Sequence, residues 1–331
     1  MKSNRYLLAL LLTAAVTAFW FFGRPNSTNQ LGNSANALTS EILALGPRPP
    51  GSVALNQVRS LLSKELVASG WVVELQEFER DTSVGKIKFA NLRARFKGKD
   101  QDPWKRKIDG LLCAHVDSKL YKDKVFLGAD DAASACAAIV VIAKHLANEN
   151  PEQASKLELV FFDGEEAFAQ SMTTLDGLYG SRHYANTWRT RDDKPKFGIL
   201  LDMIGHEKLS IRIPSDSPKH LAELMFSVAK KQNVQSHFDT ALGTIMDDHV
   251  PLNLIGIPTL DIIGDFTRSK WWHTPGDNSD IISPESLSIS IGVTLGMLDD
   301  LLAEKCDLFL FIQKSKIVIH QSSIHRVDDT I

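Results

Sequence analysis

The sequence has 331 residues, of which 44% are hydrophobic and 23% are charged, an ordinary composition for a globular protein able to bury a substantial core. The formal net charge is −3 and no long basic run occurs, which argues against a nucleic-acid-binding protein. The three cysteines show no zinc-finger spacing, which rules out a structural zinc finger, and their odd number argues against a dense disulfide framework.

The first 23 residues predict export. Lys2 and Arg5 precede an apolar run of roughly 17 residues, the short limit for spanning a bilayer. The run ends in aromatic residues at 19–22, as is common at a membrane interface. We therefore favour an uncleaved signal anchor, with the catalytic domain outside the cytoplasm. A cleaved signal peptide, which would release a secreted protein, is the alternative.

The rest of the chain predicts one domain over residues 39–306, preceded by a linker at 24–38 and followed by a tail at 307–331. A turn at 46–52 ends in Ser52, a good helix N-cap. Apolar residues in alternation or in short runs predict strands at 71–78, 87–96, 108–114, 157–162, 197–204 and 257–263. Longer segments with helical patterns predict helices at 53–69, 132–147, 219–231 and 284–304. This order indicates an α/β fold with a mostly parallel central sheet and helices on both faces.

Ionisable residues collect at the ends of these strands, where ligands bind in open α/β sheets. The strand at 157–162 is followed by Glu165 and Glu166, two carboxylates that can divide cation binding from proton transfer. Asp202 lies inside an apolar strand, where an unpaired carboxylate is costly. The other members of the set are His115, Asp117, Asp130, Asp131, Asp247, Asp248, His249 and His273. Such nitrogen and oxygen ligands suit zinc with an open coordination position.

The order of these residues resembles the animal-type glutaminyl-peptide cyclotransferases (glutaminyl cyclases), which belong to the zinc aminopeptidase superfamily. Phe-Phe-Asp-Gly-Glu-Glu at 161–166 indicates the superfamily, whereas Gly-Ser-Arg-His at 180–183 and Asp-Asp-His-Val-Pro at 247–251 indicate the cyclases. Further matching segments lie at 48–52, 89–92, 115–119, 128–131, 201–205 and 272–274. The resemblance covers about residues 38–305 and implies the three-layer sandwich of the superfamily.

The resemblance also implies a ligand set for one zinc ion per chain, formed by Asp131, Glu166 and His273. Glu165 is then the general acid and base. Asp202 and Asp247 are expected beside it as a hydrogen-bonded pair that shares a proton, since close like charges resist joint ionisation. His115, with Asp117 two residues on, occupies a second-metal position of the dinuclear aminopeptidases, which the cyclases keep without a second metal.

The implied reaction is the zinc-dependent cyclisation of N-terminal glutaminyl peptides, and more slowly of glutamyl peptides, to pyroglutamyl peptides, with release of ammonia from glutamine. The implied partners are peptides or proteins with an N-terminal glutamine, and nucleic acid is not expected to bind. The protein also contacts a membrane if its N-terminal segment is uncleaved. The protein itself is expected to be a monomer. The main alternative is a di-zinc aminopeptidase, whose ligands would be His115, Asp131, Glu166, Asp202 and His273. A non-catalytic, receptor-like relative is a further alternative, which the intact Glu165 argues against.

Two departures from the family pattern concern the pocket and the cysteines. Trp272 is expected to wall the substrate pocket, but a second family tryptophan is missing near Ser171, and Trp271 is a candidate replacement. The family disulfide would join Cys136 to a cysteine directly before His115, whereas Cys113 lies one place earlier and would point the other way on a strand. This offset argues against the bridge.

Overall fold

The computed structural model describes residues 27–303. The predicted anchor at 1–23, Cys306 and the tail at 307–331 lie outside these residues. Within them, no helix combines the length and the apolar character needed to cross a membrane.

A six-stranded sheet forms the centre of the molecule, in the spatial order β1, β2, β4, β3, β5, β8. Its strands are β1 (Trp71–Thr82), β2 (Gly85–Phe96), β3 (Gly110–His115), β4 (Leu157–Phe162), β5 (Phe197–Asp202) and β8 (Thr259–Ile263). The last four are parallel neighbours, and every residue in them is buried, as expected for strands covered on both faces. The antiparallel hairpin β1–β2 completes one edge. The predicted mostly parallel sheet is confirmed.

Helices cover both faces of this sheet: α1 (Ser27–Leu43), α2 (Val53–Ala68), α3 (Ala135–Glu149), α4 (Pro151–Ser155), α5 (Tyr179–Trp188), α6 (Lys219–Lys231), α7 (His249–Leu254) and α8 (Pro284–Leu302). A small parallel pair, β6 (Ile211–Ile213) and β7 (Phe238–Thr240), forms a separate two-stranded sheet. The larger apolar core packs α1, α2, α3, α6 and α8 on one face, and a smaller core packs α5 and α7 on the other. The result is the expected three-layer arrangement.

The linker predicted at 24–38 is wrong for most of its length, because helix α1 occupies Ser27–Leu43. Its apolar residues Leu31, Ala35, Leu38 and Ile42 recur at helical spacing and pack into the larger core. Gly32 lies so close to α8 that a Cβ atom there would meet the Ser288 hydroxyl at 2.0 Å. Packing of this narrow stripe outweighs the weak helix propensity of the asparagine and serine residues around it. The predicted domain start at residue 39 is therefore too late.

The two buried cysteines are both free. Cys113 lies on β3 in the smaller core, whereas Cys136 lies at the start of α3 in the larger core. The sheet separates the two thiols because successive residues of a strand point to opposite faces. Cys136 instead donates a hydrogen bond to the His115 carbonyl oxygen at 3.0 Å.

Candidate metal and catalytic site

A cavity of about 1410 Å³ opens at the carboxyl ends of the parallel strands. Its wall includes residues from the ends of β5 and β8 and from the segments that follow β4, β5 and β8. The predicted site residues in this wall are Asp131, Glu165, Glu166, Asp202, Asp247, Trp272 and His273. His115 lies just behind the wall and is fully buried. The structure therefore brings together residues that are more than 150 positions apart in the sequence, as the open-sheet rule predicts.

The turn that carries Glu165 and Glu166 is held by the buried carboxylate of Asp117. The backbone N–H groups of Gly164, Glu165 and Glu166 donate to its two oxygens at 3.0, 3.1 and 3.2 Å. Gly164 adopts a φ of +76°, which lets the chain turn sharply where β4 ends. Asp117 thus has a structural task at the turn, while its oxygen lies 3.6 Å from His115 Nδ1.

Asp131 reaches the site from an irregular turn at Ala129–Ser134, where the predicted helix had been expected to begin. Its φ and ψ of −102° and 83° are not helical, and regular helix starts only at Ala135. The carboxylate of Asp277 holds this turn by accepting the N–H groups of Asp130 at 2.7 Å and Asp131 at 3.3 Å. Sequence reasoning missed Asp277, because a lone aspartate in a loop after His273 carries no periodic signal.

Three predicted zinc ligands converge at one point. His273 Nε2 lies 3.2 Å from Glu166 Oε1 and 3.5 Å from Asp131 Oδ2. Burial lowers the pKa of His273, but its hydrogen bonds to Asp131 and Glu166 outweigh burial and raise it to about 9. The ammonium of Lys119 lies 3.3 Å from the other Glu166 oxygen, which fixes that carboxylate. One imidazole and two carboxylates around a cavity fit a zinc ion that keeps an open position.

A second group of donors adjoins the first and shares Asp131 with it. His115 Nε2 lies 3.1 Å from Asp131 Oδ1 and 3.4 Å from Asp202 Oδ1. Burial lowers the pKa of His115, but the neighbouring carboxylates of Asp117, Asp131 and Asp202 raise it well above its ordinary value. This group is therefore a second place at which a cation could be held.

Glu165 faces the cavity and is only 8% exposed. Burial raises its pKa well above the ordinary value, and the charges of Glu166 and Asp247 add to the rise, while His115 opposes it. A carboxyl group with a raised pKa suits proton transfer. Burial likewise raises the pKa of Asp202 to about 8, with a contribution from the charge of Asp247. The predicted hydrogen bond between Asp202 and Asp247 stays a prediction.

The two neighbouring tryptophans have different surroundings. Trp272 lines the cavity, is 36% exposed, and stacks on His273 with ring centroids 3.9 Å apart. Trp271 stacks on His206 at 5.1 Å and lines a separate shallow depression. The interpretation that Trp271 replaces the missing family tryptophan is therefore wrong, because adjacent side chains in this loop point apart. Gln170, Ser171 and Met172 line the cavity where that tryptophan is missing.

Sequence reasoning also missed Asp261, which lies within an apolar run that forms β8. The criterion that singled out Asp202, a carboxylate inside a buried strand, applies equally to Asp261. It stands behind Asp247, together with the buried His249.

Comparison with known proteins identifies the family of this chain. The model of peptidase family M28 matches residues 91–296, and the chain therefore belongs to this family. A glutaminyl-peptide cyclotransferase-like protein of Bos taurus is 32% identical over 72% of this chain and 68% of its own length. The resemblance to the glutaminyl-peptide cyclotransferases is thereby confirmed.

Solved structures show the same likeness. An Acidobacteriales bacterium glutaminyl cyclase has a TM-score of 0.71 and 29% identity, over 82% of this chain and 94% of its own. A Zn-dependent exopeptidase from Parabacteroides distasonis has a TM-score of 0.72 and 26% identity, over 82% of this chain and 98% of its own. These relatives share the three-layer fold, and one of them is named for a zinc dependence that fits a metal cofactor here.

Proposed function

We propose that this chain converts the N-terminal glutamine of peptides to pyroglutamate and releases ammonia, as a zinc-dependent glutaminyl-peptide cyclotransferase. The observation that carries the proposal is the pair of adjacent glutamates in two different environments. Glu166 joins Asp131 and His273 in a possible ligand set, whereas Glu165 is a buried carboxyl group facing the cavity. The named cyclotransferases among the relatives support the choice of substrate.

Asp131, Glu166 and His273 are the residues that would hold the zinc ion. When bound, zinc supplies a Lewis acid for the γ-amide carbonyl of the substrate. Lys119 engages one Glu166 oxygen, so the other faces His273 and Asp131. Asp277 and Asp117 hold the backbone of Asp131 and of the glutamate turn, which preorganises the ligands.

The protein's own residues then move a proton. Glu165, in its ionised form, takes a proton from the substrate α-amine, and the amine nitrogen attacks the γ-carbonyl carbon of the same residue. The new C–N bond closes a five-membered ring. Glu165 returns its proton to the departing nitrogen, and the C–N bond to ammonia breaks. Because the attack is intramolecular, the protein chiefly supplies conformation and proton transfer, with Trp272 as a wall for the substrate.

An aminopeptidase with two zinc ions is the second candidate, and one observation favours it. His115, Asp131 and Asp202 form a second possible ligand group that shares Asp131 with the first. The glutaminyl-peptide cyclotransferases and glutaminyl cyclases among the relatives favour the first candidate. Zinc stoichiometry and the reaction product separate the candidates: one zinc and ammonia, or two and a free amino acid.

The decisive experiment is incubation with a glutamine-initiated peptide, with and without a chelator, read by mass spectrometry. We expect a loss of one ammonia that the chelator abolishes. Glu165→Gln should retain zinc and lose turnover, whereas Glu166→Ala should lose zinc. Glu223→Gln, an exposed change on α6, is the matched control and should match the unaltered protein. Release of a free amino acid, or equal zinc loss in both site variants, would refute the proposal. Export, membrane attachment and the monomeric state stay predictions.

A further inference from the structure

Arg48 is a fully buried arginine in the turn that precedes helix α2, and the proposed reaction does not use it. Within residues 27–303 its guanidinium makes hydrogen bonds to three backbone carbonyl oxygens and to no carboxylate. The acceptors are Val116, 3.0 Å from Nε, Gly128, 2.8 Å from Nη2, and Leu127. Burial lowers the pKa of Arg48, so keeping its charge inside the protein opposes folding unless these bonds compensate. The role of the residue should therefore lie in the segments that it joins.

The first segment that Arg48 holds is the loop that follows β3. Val116 comes directly before Asp117, whose carboxylate accepts the N–H groups of the glutamate turn. On the other side of Asp117, the Ser118 hydroxyl accepts the Arg48 N–H at 3.0 Å, and the Ser118 N–H donates to the Arg48 carbonyl oxygen at 3.2 Å. Arg48 thus binds the residues on both sides of the acid that holds Glu165 and Glu166.

The second segment is the turn that carries Asp131. Leu127 and Gly128 come directly before this turn, and the Gly128 carbonyl oxygen also accepts the Ala133 N–H at 3.2 Å. Gly128 has a φ of +57°, and a Cβ atom there would lie 2.0 Å from the Asp131 carbonyl oxygen and 3.4 Å from Arg48 Nη2. The guanidinium therefore packs against the point where the turn folds back on itself, a close approach that glycine permits.

A planar guanidinium is suited to this bridge because its donors point in fixed directions. An apolar side chain of similar size could fill the same space but could not bind the carbonyl groups of both segments. Arg48 does not belong to the cavity wall that the described residues form, so any effect on the site must pass through the two segments.

We infer that Arg48 is a positioning residue for the metal site, because its hydrogen bonds fix the separation between the loop of Asp117 and the turn of Asp131. That separation decides whether Glu166 and Asp131 reach the same ion. The carboxylates whose charges act on the guanidinium are Asp131, Asp117 and Asp277, so the cation also reduces the repulsion among acids at this place. The inference rests on the proposed function for its ligand set and for the effect on the rate.

Zinc affinity tests the inference without a measurement of activity. We would titrate the metal-free protein with zinc in competition with a chelating indicator. Arg48→Lys keeps the charge but lacks the planar set of donors, and we expect it to bind zinc about tenfold to a hundredfold more weakly. Arg48→Met also removes the charge and should bind zinc no more tightly than Arg48→Lys.

Arg95→Lys is the matched control. Arg95 is likewise buried and donates to three backbone carbonyl oxygens, at residues 103, 104 and 106, in addition to its ion pair with Glu158. Glu158 lies near the start of β4, whereas the glutamate turn follows the end of that strand. Arg95→Lys should therefore lower the urea midpoint of unfolding, as Arg48→Lys should, but leave zinc affinity within about twofold.

Three results would overturn the inference. They are an unchanged zinc affinity in Arg48→Lys, a weaker affinity in Arg48→Met alone, which would assign the effect to charge, and an equal loss in Arg95→Lys, which would assign it to general stability. If Arg48→Lys does not fold, Ser118→Ala takes its place, because it removes the acceptor of the Arg48 N–H. This variant should weaken zinc binding by about threefold or more, and an unchanged affinity would refute the role of Arg48.

Kinetics at saturating zinc test the consequence for the reaction. Arg48→Lys should lower kcat by about tenfold while KM stays within about twofold, since the residue lies outside the cavity wall. A raised KM with an unchanged kcat would contradict a positioning role. If the unaltered protein binds zinc but does not cyclise a glutamine-initiated peptide, the proposed function fails, and the zinc titration alone decides the role of Arg48.

Discussion

Replacing Asp117 with asparagine should loosen the turn that carries the two site glutamates. The carboxylate accepts three N–H groups, from Gly164, Glu165 and Glu166, at 3.0, 3.1 and 3.2 Å. Asparagine keeps one oxygen for the first two donors and points an NH₂ group at the third. A hydrogen bond to a charged acceptor contributes about 1.5–3 kcal/mol, and an unpaired buried donor adds to the loss, so we expect a destabilisation of about 2–4 kcal/mol. The unfolding midpoint should fall by roughly 3–7 °C, given the size of the folded domain.

Activity should fall as well, because the turn positions both the proton carrier and a metal ligand. A misplacement of about 1 Å can cost a hundredfold in rate, so we expect a loss in kcat of about tenfold or more. Thermal unfolding in excess chelator measures stability without the contribution of bound metal. Steady-state kinetics with a glutamine-initiated peptide measures the effect on the site.

Asp176→Asn is the matched control for this experiment. Its carboxylate accepts the N–H groups of Phe168 at 3.1 Å and Ala169 at 2.8 Å, in the loop that follows the glutamate turn. This variant should lose comparable stability but keep kcat within about threefold, because the glutamate turn retains its own acceptor. An unchanged unfolding midpoint for Asp117→Asn, or an equal loss of kcat in both variants, would refute the reasoning.

Three further predictions concern the metal turn, the backbone and pH. Asp277→Asn should weaken zinc binding by about tenfold to a hundredfold, since its carboxylate holds the backbone of Asp131; equal affinity in a competitive zinc titration would contradict this. Gly164→Ala should destabilise the protein by about 2–4 kcal/mol, because φ is +76° and the added Cβ would lie 2.5 Å from the Phe89 ring; an unchanged urea midpoint would count against it. Because Glu165 must be ionised to accept a proton and its pKa is raised, kcat should fall with decreasing pH well above about 4.3, the ordinary glutamate value; an acid limb at that value would contradict the assigned role.

Much of the fold follows from local pattern. The apolar run at 157–162 forms β4 at its predicted bounds, and the helix at 219–231 is α6. Local pattern failed at α1, where asparagine and serine dominate the composition and only packing against α8 reveals the buried stripe. It also failed at Asp131, where the backbone leaves helical geometry because Asp277 accepts its N–H group from a distant loop.

The sequence by itself determined the central parallel sheet, the identity of the candidate ligands and the place of Glu165 beside Glu166. The sheet is a property of short segments, in which side-chain periodicity and chain order suffice, whereas the ligand set is what the resemblance to the glutaminyl cyclases implies. Only the tertiary structure decided that Trp271 faces away from the cavity, that the two cysteines lie on opposite faces of the sheet, and that Asp261 stands behind Asp247. Those facts depend on which strands are neighbours and which way each loop turns, and such contacts join residues that no local pattern connects.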